Sequence, residues 1–179
     1  MAHLWLTWAN LLTLIRVAAL LPLIYTILNY MWLWAGLLFA TAVITDVYDG
    51  KLARRLDQTS PLGGLFDHAT DAAFVTLGCW ALANIGSINP WLPWLIPAAF
   101  IQYMLDSKAL SGVSLRMSTI GRANGIAYYV LLGTAIGAEL LSWKWLQIPV
   151  AWFAWLLVTS TLVSMLDRAI TLIQHSAKR

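Results

Sequence analysis

Charged side chains are scarce in this chain of 179 residues, where they make up 11% of the sequence. Soluble domains usually carry about 25% charged residues. Hydrophobic residues account for 60% and form apolar runs along the whole length. The composition therefore excludes an ordinary soluble domain and favours an integral membrane protein.

Cysteine is almost absent, because Cys79 is the single copy. One cysteine cannot form an intramolecular disulfide, and its apolar surroundings predict a small buried side chain. With three histidines and no Cys/His cluster, nothing indicates a zinc site. The first residues contain neither a basic start nor a small-residue cleavage site, so we expect no removable signal peptide.

Tryptophan, in contrast, is abundant, with eleven copies. Many of them lie near the ends of apolar runs, where indole rings anchor helices at the headgroup level of a bilayer. Between these anchors we predict six transmembrane helices, at residues 10–28, 31–47, 65–86, 91–107, 123–141 and 145–168. The expected fold is thus an all-α integral membrane protein, with a single membrane-embedded domain over residues 1–179.

Basic residues are distributed unevenly among the connections between these helices. One set of connections carries only Lys144, whereas the other set and the C-terminal tail carry Lys51, Arg54, Arg55, Lys108, Arg116, Arg122, Lys178 and Arg179. Positive charge is retained on the cytoplasmic side of a membrane. We therefore expect both termini in the cytoplasm. Topology accounts for the net charge of +3, so nucleic-acid binding is not expected.

Asp46, Asp49, Asp67 and Asp71, which are half of the eight acidic residues, lie within residues 46–71. The spacing of three in the first pair and four in the second places each pair on one helix face. Carboxylates near a membrane need a counter-charge. Because oxygen ligands suit hard cations, the group predicts a site for Mg²⁺ or Mn²⁺, with room for two ions.

Two further features of this stretch indicate a diphosphate site at the cytoplasmic end of the helices. Gly50 follows Asp49 directly and leaves space where a ligand approaches the backbone. Arg54, one helical turn later, offers a bidentate fork for a phosphate. Solvated loop charges beside turn glycines are the simpler alternative.

The stretch resembles the signature of the CDP-alcohol phosphotransferase family, Asp-x2-Asp-Gly-x2-Ala-Arg-x8-Gly-x3-Asp-x3-Asp. The fixed positions are matched by Asp46, Asp49, Gly50, Ala53, Arg54, Gly63, Asp67 and Asp71. Six membrane helices and a cytoplasmic-facing active-site cavity also fit that family. The resemblance therefore extends from the motif to the expected architecture.

The resemblance implies a metal-dependent transferase that moves a substituted phosphate from a CDP-linked donor to a hydroxyl and releases CMP. The metal ligands would be Asp46, Asp49, Asp67 and Asp71, and Asp71 would also be the general base. The CDP-donor site would comprise Gly50, Ala53, Arg54, Gly63 and Asp67. Members of the family commonly form homodimers, so a homodimer in the bacterial inner membrane is implied as well.

The acceptor is indicated by weaker resemblances. Residues 10–16 and the chain length resemble bacterial phosphatidylglycerophosphate synthases, as do residues 118–122 with Arg122 in place of a lysine. Arg116, Arg122 and Arg168 would then bind the phosphate of glycerol 3-phosphate. Alternatively, Arg116 and Arg122 are ordinary positive-inside charges. Arg16, within a membrane helix, requires an anion, which could be a substrate phosphate, a lipid headgroup or an aspartate.

His68 departs from the phosphatidylglycerophosphate synthase pattern, which has proline at that position. Residues 60–71 instead resemble choline and ethanolamine phosphotransferases, which use a CDP-amino alcohol donor and diacylglycerol as the acceptor. His68 would then contribute to the acceptor site and assist proton transfer, or it would hydrogen-bond a neighbouring carboxylate.

A small divalent-cation transporter is the competing class, because intramembrane aspartates also build ion pathways. A transporter would need carboxylates near the bilayer midplane, whereas these cluster at one end beside Arg54. The sequence thus favours phosphatidyl transfer from CDP-diacylglycerol to a small polar alcohol, glycerol 3-phosphate being the preferred candidate.

Overall fold

A computed structural model describes residues 8–55, 61–106 and 119–176, with side chains over 11–48, 63–105 and 119–171. These ranges are helical throughout, apart from the short connections, and contain no strand. Their α-helices are α1 (Trp8–Leu28), α2 (Trp32–Arg55), α3 (Pro61–Asn84), α4 (Leu92–Asp106), α5 (Thr119–Leu140) and α6 (Gln147–Ser176). A 3₁₀ turn, Lys144–Leu146, precedes α6. The predicted number of helices is therefore confirmed.

The helix ends differ from the predicted spans where polar residues follow an apolar run. Helix α2 continues to Arg55 and α6 to Ser176, beyond the predicted ends at 47 and 168, because lysine, leucine and arginine are good helix formers whatever their polarity. Helix α4 begins at Leu92. Its start is capped by the Asn89 side chain, whose Oδ1 accepts the Leu92 N–H at 3.0 Å.

Three tight turns, all at the same end of the bundle, return the chain from α1 to α2, from α3 to α4 and from α5 towards α6. Positive φ angles occur in them at Tyr30 (57°), Gly86 (78°) and Ser142 (56°). The residue after each donates its N–H to a carbonyl five positions back, giving the pairs Met31–Thr26, Ser87–Leu82 and Trp143–Ala138. This Schellman geometry ends each helix sharply, so consecutive helices run antiparallel.

The core is formed by apolar side chains where the helices pack, and the outer surface is also largely apolar. Helix α1 packs on α2 and α3, α4 on α3 and α6, and α5 on α2, α3 and α6. Leu23, Phe74 and Leu132 are completely buried, while Leu21 and Trp94 are exposed on the outside. Extensive exposed apolar surface of this kind fits a lipid environment.

Two segments, Leu11–Leu28 and Lys144–Thr171, are long and apolar enough to cross a membrane by length and composition. Trp32–Tyr48 and Leu92–Leu105 are shorter apolar segments.

Cys79 is completely buried, as its apolar surroundings predict.

Candidate active site

Residues from three helices meet at one level of the bundle. Arg16 on α1 and Asp71 on α3 precede the ends of their helices at Leu28 and Asn84, and Asp46 on α2 follows the start of its helix at Trp32. At about 1.5 Å per residue, each is about 18–21 Å from the tight turns. Antiparallel packing therefore brings these side chains together.

Arg16 bridges three of the predicted metal ligands. Its side chain is completely buried. Its Nη1 donates to Asp46 Oδ1 at 2.9 Å and also to Asp71 Oδ1, and its Nη2 donates to Asp67 Oδ1. Of the three anions open to Arg16 from the sequence, the structure thus shows aspartate. Arg16 is therefore part of the carboxylate cluster, and the sequence alone did not decide among its three possible partners.

The donor atoms of this cluster fit a hard cation. Asp67, His68 and Asp71 each offer one ligand atom, and the three atoms lie within 4.8 Å of one another. His68 Nδ1 is 3.9 Å from Asp67 Oδ2, which is too long for a hydrogen bond. The carboxylates of Asp46, Asp67 and Asp71 are half-buried rather than enclosed, so an ion could reach them.

Tyr129, which the sequence did not indicate, also holds Asp71. Its hydroxyl donates to Asp71 Oδ1 at 3.0 Å. Its ring stacks on Phe74, with centroids 6.1 Å apart and planes at 12°, and it also contacts Phe39 at 6.3 Å. Tyr129 lies roughly three helical turns before the end of α5 at Leu140, near the level of the cluster. Its distance along α5 from the tight turn is therefore the sequence signal that could have identified Tyr129.

A cavity of about 300 Å³ opens beside the cluster between α3, α4, α5 and α6. Asp46, His68 and Asp71 line it together with the predicted acceptor residues Arg122 and Arg168. Much of its wall is apolar or aromatic, formed by residues that include Val75, Ile96, Phe100, Tyr103, Ile126 and Met165. The structure therefore brings two of the predicted metal ligands and two of the predicted acceptor arginines to a single cavity.

Polar groups between the helices fix the shape of this cavity. The Arg168 guanidinium lies over the Tyr103 ring, 4.8 Å from its centroid. Tyr128 and Thr161 share a hydroxyl–hydroxyl hydrogen bond of 2.6 Å. Gln102 Nε2 donates to the Met165 carbonyl at 3.0 Å, which ties α4 to α6. Such buried hydrogen bonds favour one relative placement of the helices.

Several predicted site residues lie outside the part of the chain whose side chains are described. Helix α2 includes Asp49, Gly50, Ala53 and Arg54, but their side chains lie beyond that part. Arg116 lies outside the described residues altogether. Gly63 is described and lies in the first turn of α3, one turn before Asp67.

Comparison with known sequences connects this geometry to a family. The family model described as CDP-alcohol phosphatidyltransferase matches residues 6–174. The chain belongs to the CDP-alcohol phosphatidyltransferase family. The match includes α1 to α5, α6 as far as residue 174, and the signature at 46–71. The resemblance inferred from the signature is therefore confirmed.

The curated relatives of this family member include proteins with two different names. A CDP-diacylglycerol–glycerol-3-phosphate 3-phosphatidyltransferase from Pseudomonas fluorescens is 38% identical over 96 residues, covering 51% of this chain and 47% of the relative. One of the same name from Pectobacterium atrosepticum is 33% identical over 123 residues, covering 66% and 64%. Cholinephosphotransferase 1 from Xenopus laevis is 39% identical over 66 residues, covering 33% and 16%.

The chain spans about half the length of the first of these relatives. No solved structure matches the chain significantly.

Proposed function

We propose that this chain transfers a phosphatidyl group from CDP-diacylglycerol to a small polar alcohol, with glycerol 3-phosphate as the preferred acceptor, and releases CMP. The observation that carries the proposal is that one cavity is lined both by Asp46 and Asp71 and by Arg122 and Arg168. Family membership and the names of the bacterial relatives support it.

The membrane setting is part of the proposal. All six helices would cross the bilayer as one domain over residues 1–179, as a homodimer in a bacterial inner membrane. Basic residues such as Arg55 and Lys108 would keep both termini and the cavity on the cytoplasmic side. The acyl chains of the donor would stay in the bilayer, alongside the exposed apolar surface, while its headgroup enters the cavity.

The aspartates would hold the cofactor. Asp46, Asp49, Asp67 and Asp71 would ligate one or two Mg²⁺ or Mn²⁺ ions, which supply charge neutralisation for a diphosphate and for the departing CMP. The fit rests on the oxygen-rich donor set and on a cluster that already accommodates a buried cation, the Arg16 guanidinium.

The protein groups around the cavity would bind and orient the two substrates. Arg54 would hold the diphosphate, next to a cytidine pocket shaped by Gly50, Ala53 and Gly63. Arg122 and Arg168 would bind the phosphate of the acceptor, because a guanidinium matches phosphate oxygens in a bidentate manner. Arg116 would join them from the α4–α5 connection.

Asp71 would accept the proton of the attacking hydroxyl. A carboxylate placed this way contributes roughly 10²–10⁴-fold as a general base. The new bond forms between the acceptor oxygen and the β-phosphorus of the donor, the bond from that phosphorus to CMP breaks, and CMP leaves with the electron pair. His68, which lines the same cavity, would contact the acceptor.

Amino-alcohol transfer to diacylglycerol is the second candidate. It is favoured by the similarity to the Xenopus cholinephosphotransferase and by the apolar walls of the cavity, which would suit a lipid acceptor. A divalent-cation transporter is disfavoured by the buried Arg16, whose positive charge would repel a permeating cation.

One assay separates these functions. The purified protein in detergent with Mn²⁺ is given CDP-diacylglycerol and, in turn, glycerol 3-phosphate, inositol phosphate or serine, and separately CDP-choline with diacylglycerol. We expect CMP release and phosphatidyl transfer with glycerol 3-phosphate, and loss of both in excess EDTA. Product formation only in the mixture of CDP-choline and diacylglycerol would establish the second candidate. An intact nucleotide in every mixture, with cation flux into sealed vesicles, would establish transport.

A further inference from the structure

Arg16 already contacts one oxygen of each of three carboxylates that would hold the proposed metal. Its side chain is completely buried. It donates to one oxygen of each of three aspartates, namely Asp46 Oδ1, Asp67 Oδ1 and Asp71 Oδ1. A guanidinium has five N–H donors in a rigid planar fork, so it can satisfy several carboxylates at once. A cation is thus built into this site by the chain itself.

The charge of the four groups shows why the protein would carry such a cation. Three carboxylates that face one another repel, and partial burial strengthens the repulsion. One guanidinium against three ionised carboxylates leaves a charge of −2. Arg16 therefore reduces the repulsion between the carboxylates of α2 and α3, yet leaves an excess negative charge that attracts a divalent ion.

Because of these contacts, Arg16 and a metal ion would compete for carboxylate oxygens. A divalent ion and a guanidinium both require carboxylate oxygens, and three of those in the cluster already accept from Arg16. We propose that Arg16 is a positioning residue that holds Asp46, Asp67 and Asp71 in place before metal binds, and that metal binding requires Arg16 to give up these oxygens. The inference rests on the proposed metal-dependent function.

Removal of Arg16 should change thermal stability and metal affinity in opposite directions. Without Arg16, the metal-free protein loses its internal counter-charge, so its thermal stability falls. The affinity for a divalent ion rises, because no cation has to be displaced before the ion binds. An arginine that merely maintained the fold would behave differently, since its removal would lower both stability and metal affinity.

The experiment measures Mn²⁺ binding by calorimetry and thermal unfolding in EDTA, on full-length protein in detergent. For Arg16→Gln we expect Mn²⁺ affinity to increase on the order of tenfold, as removal of one close competing charge produces, together with a lower unfolding temperature in EDTA. Lys144→Gln is the matched control, because it removes one positive charge from an exposed position at the turn end of the bundle. It should change neither value.

Arg16→Lys covers the case in which Arg16→Gln does not fold. A compact ammonium lacks the planar fork needed to bridge three carboxylates, so Mn²⁺ affinity should rise by a smaller factor. Unchanged or weaker Mn²⁺ binding in the folded Arg16 variants would overturn the inference. CMP release by the wild-type protein is measured in the same preparation. Activity without the affinity gain refutes only the role of Arg16, and an inactive wild type refutes the proposed function.

Discussion

The two carboxylate oxygens of Asp71 differ in their hydrogen-bond partners. Its Oδ1 accepts hydrogen bonds from both Arg16 and Tyr129. No hydrogen bond to its Oδ2 is found among the described residues. After a metal ion displaces Arg16, the Tyr129 hydrogen bond would still hold Oδ1 and present Oδ2 in a fixed direction. If Asp71 is the general base, Oδ2 is the atom that would meet the acceptor hydroxyl.

The first prediction concerns Tyr129→Phe, which removes the donor but keeps the ring that packs on Phe74. We expect kcat to fall by roughly tenfold or more, since a hydrogen bond to a charged group contributes about 1.5–3 kcal/mol, while the KM for donor changes little. Steady-state kinetics of CMP release measure both constants.

Tyr128→Phe is the matched comparison for Tyr129→Phe, because the adjacent tyrosine lines the same cavity but bonds to Thr161 instead of Asp71. Tyr128→Phe and Tyr129→Phe should lower the unfolding temperature by similar amounts. The loss of kcat should be smaller in Tyr128→Phe. Equal losses of kcat in both variants would contradict a specific role for Tyr129.

Asp67 and Asp71 could be placed together from the sequence, whereas the contacts of Arg16 and Tyr129 with them could not. Asp67 and Asp71 lie on one helix, so their spacing alone places them on one face. Arg16 and Tyr129 join them from α1 and α5, and such contacts depend on how the helices are rotated and packed. No local pattern encodes that rotation, although counting residues from the turns identifies the level at which they meet.

Among the helices, glycine determines how closely α5 approaches its neighbours. A Cβ built at Gly133 would lie 2.7 Å from Phe39 Cε1 on α2, a distance that requires the ring to move. One built at Gly78 on α3 would lie 2.6 Å from Leu132 Cδ2. These two contacts on α5 are tight packing that the sequence did not predict, because a glycine within an apolar run has no distinguishing signal.

The second prediction tests this packing with two substitutions on one helix. Gly133→Ala should destabilise the protein by about 1–3 kcal/mol, the usual cost of overpacking, and it should also lower turnover, because Phe39 contacts the ring of Tyr129. Gly137→Ala has open space around the new methyl group. It should stabilise the helix by roughly 0.5–1 kcal/mol.

Thermal unfolding in detergent checks the opposite signs for these two α5 variants. Destabilisation of both to the same extent would indicate a general intolerance of α5 to alanine rather than a specific close approach to Phe39.

For the whole molecule, the helix count and the order of the helices could be predicted because apolar runs and turn residues are local. The cavity could not, since residues of several helices that are distant in the sequence line it together. Its lining combines Asp71 on α3 with Arg122 on α5 and Arg168 on α6. The sequence predicted these residues as two separate subsites, and only the packing shows that they line one space.

The last prediction concerns the orientation of the bundle in a membrane. The positive-inside rule places the three tight turns on the outer side and the carboxylate end in the cytoplasm. Asn84 at the turn end and Thr119 at the start of α5 are both exposed, so each can be replaced by cysteine. Background labelling should be low, because Cys79, the single native cysteine, is completely buried.

In spheroplasts treated with a membrane-impermeant maleimide, Asn84→Cys should be labelled directly and Thr119→Cys only after permeabilisation. The reverse pattern would place the cavity on the outer side, where it could not receive cytoplasmic nucleotide-linked lipid. Labelling of both positions in intact spheroplasts would show that the helices between them do not form the predicted barrier. Since CMP release in detergent is indifferent to orientation, this experiment tests the topology independently of the chemistry.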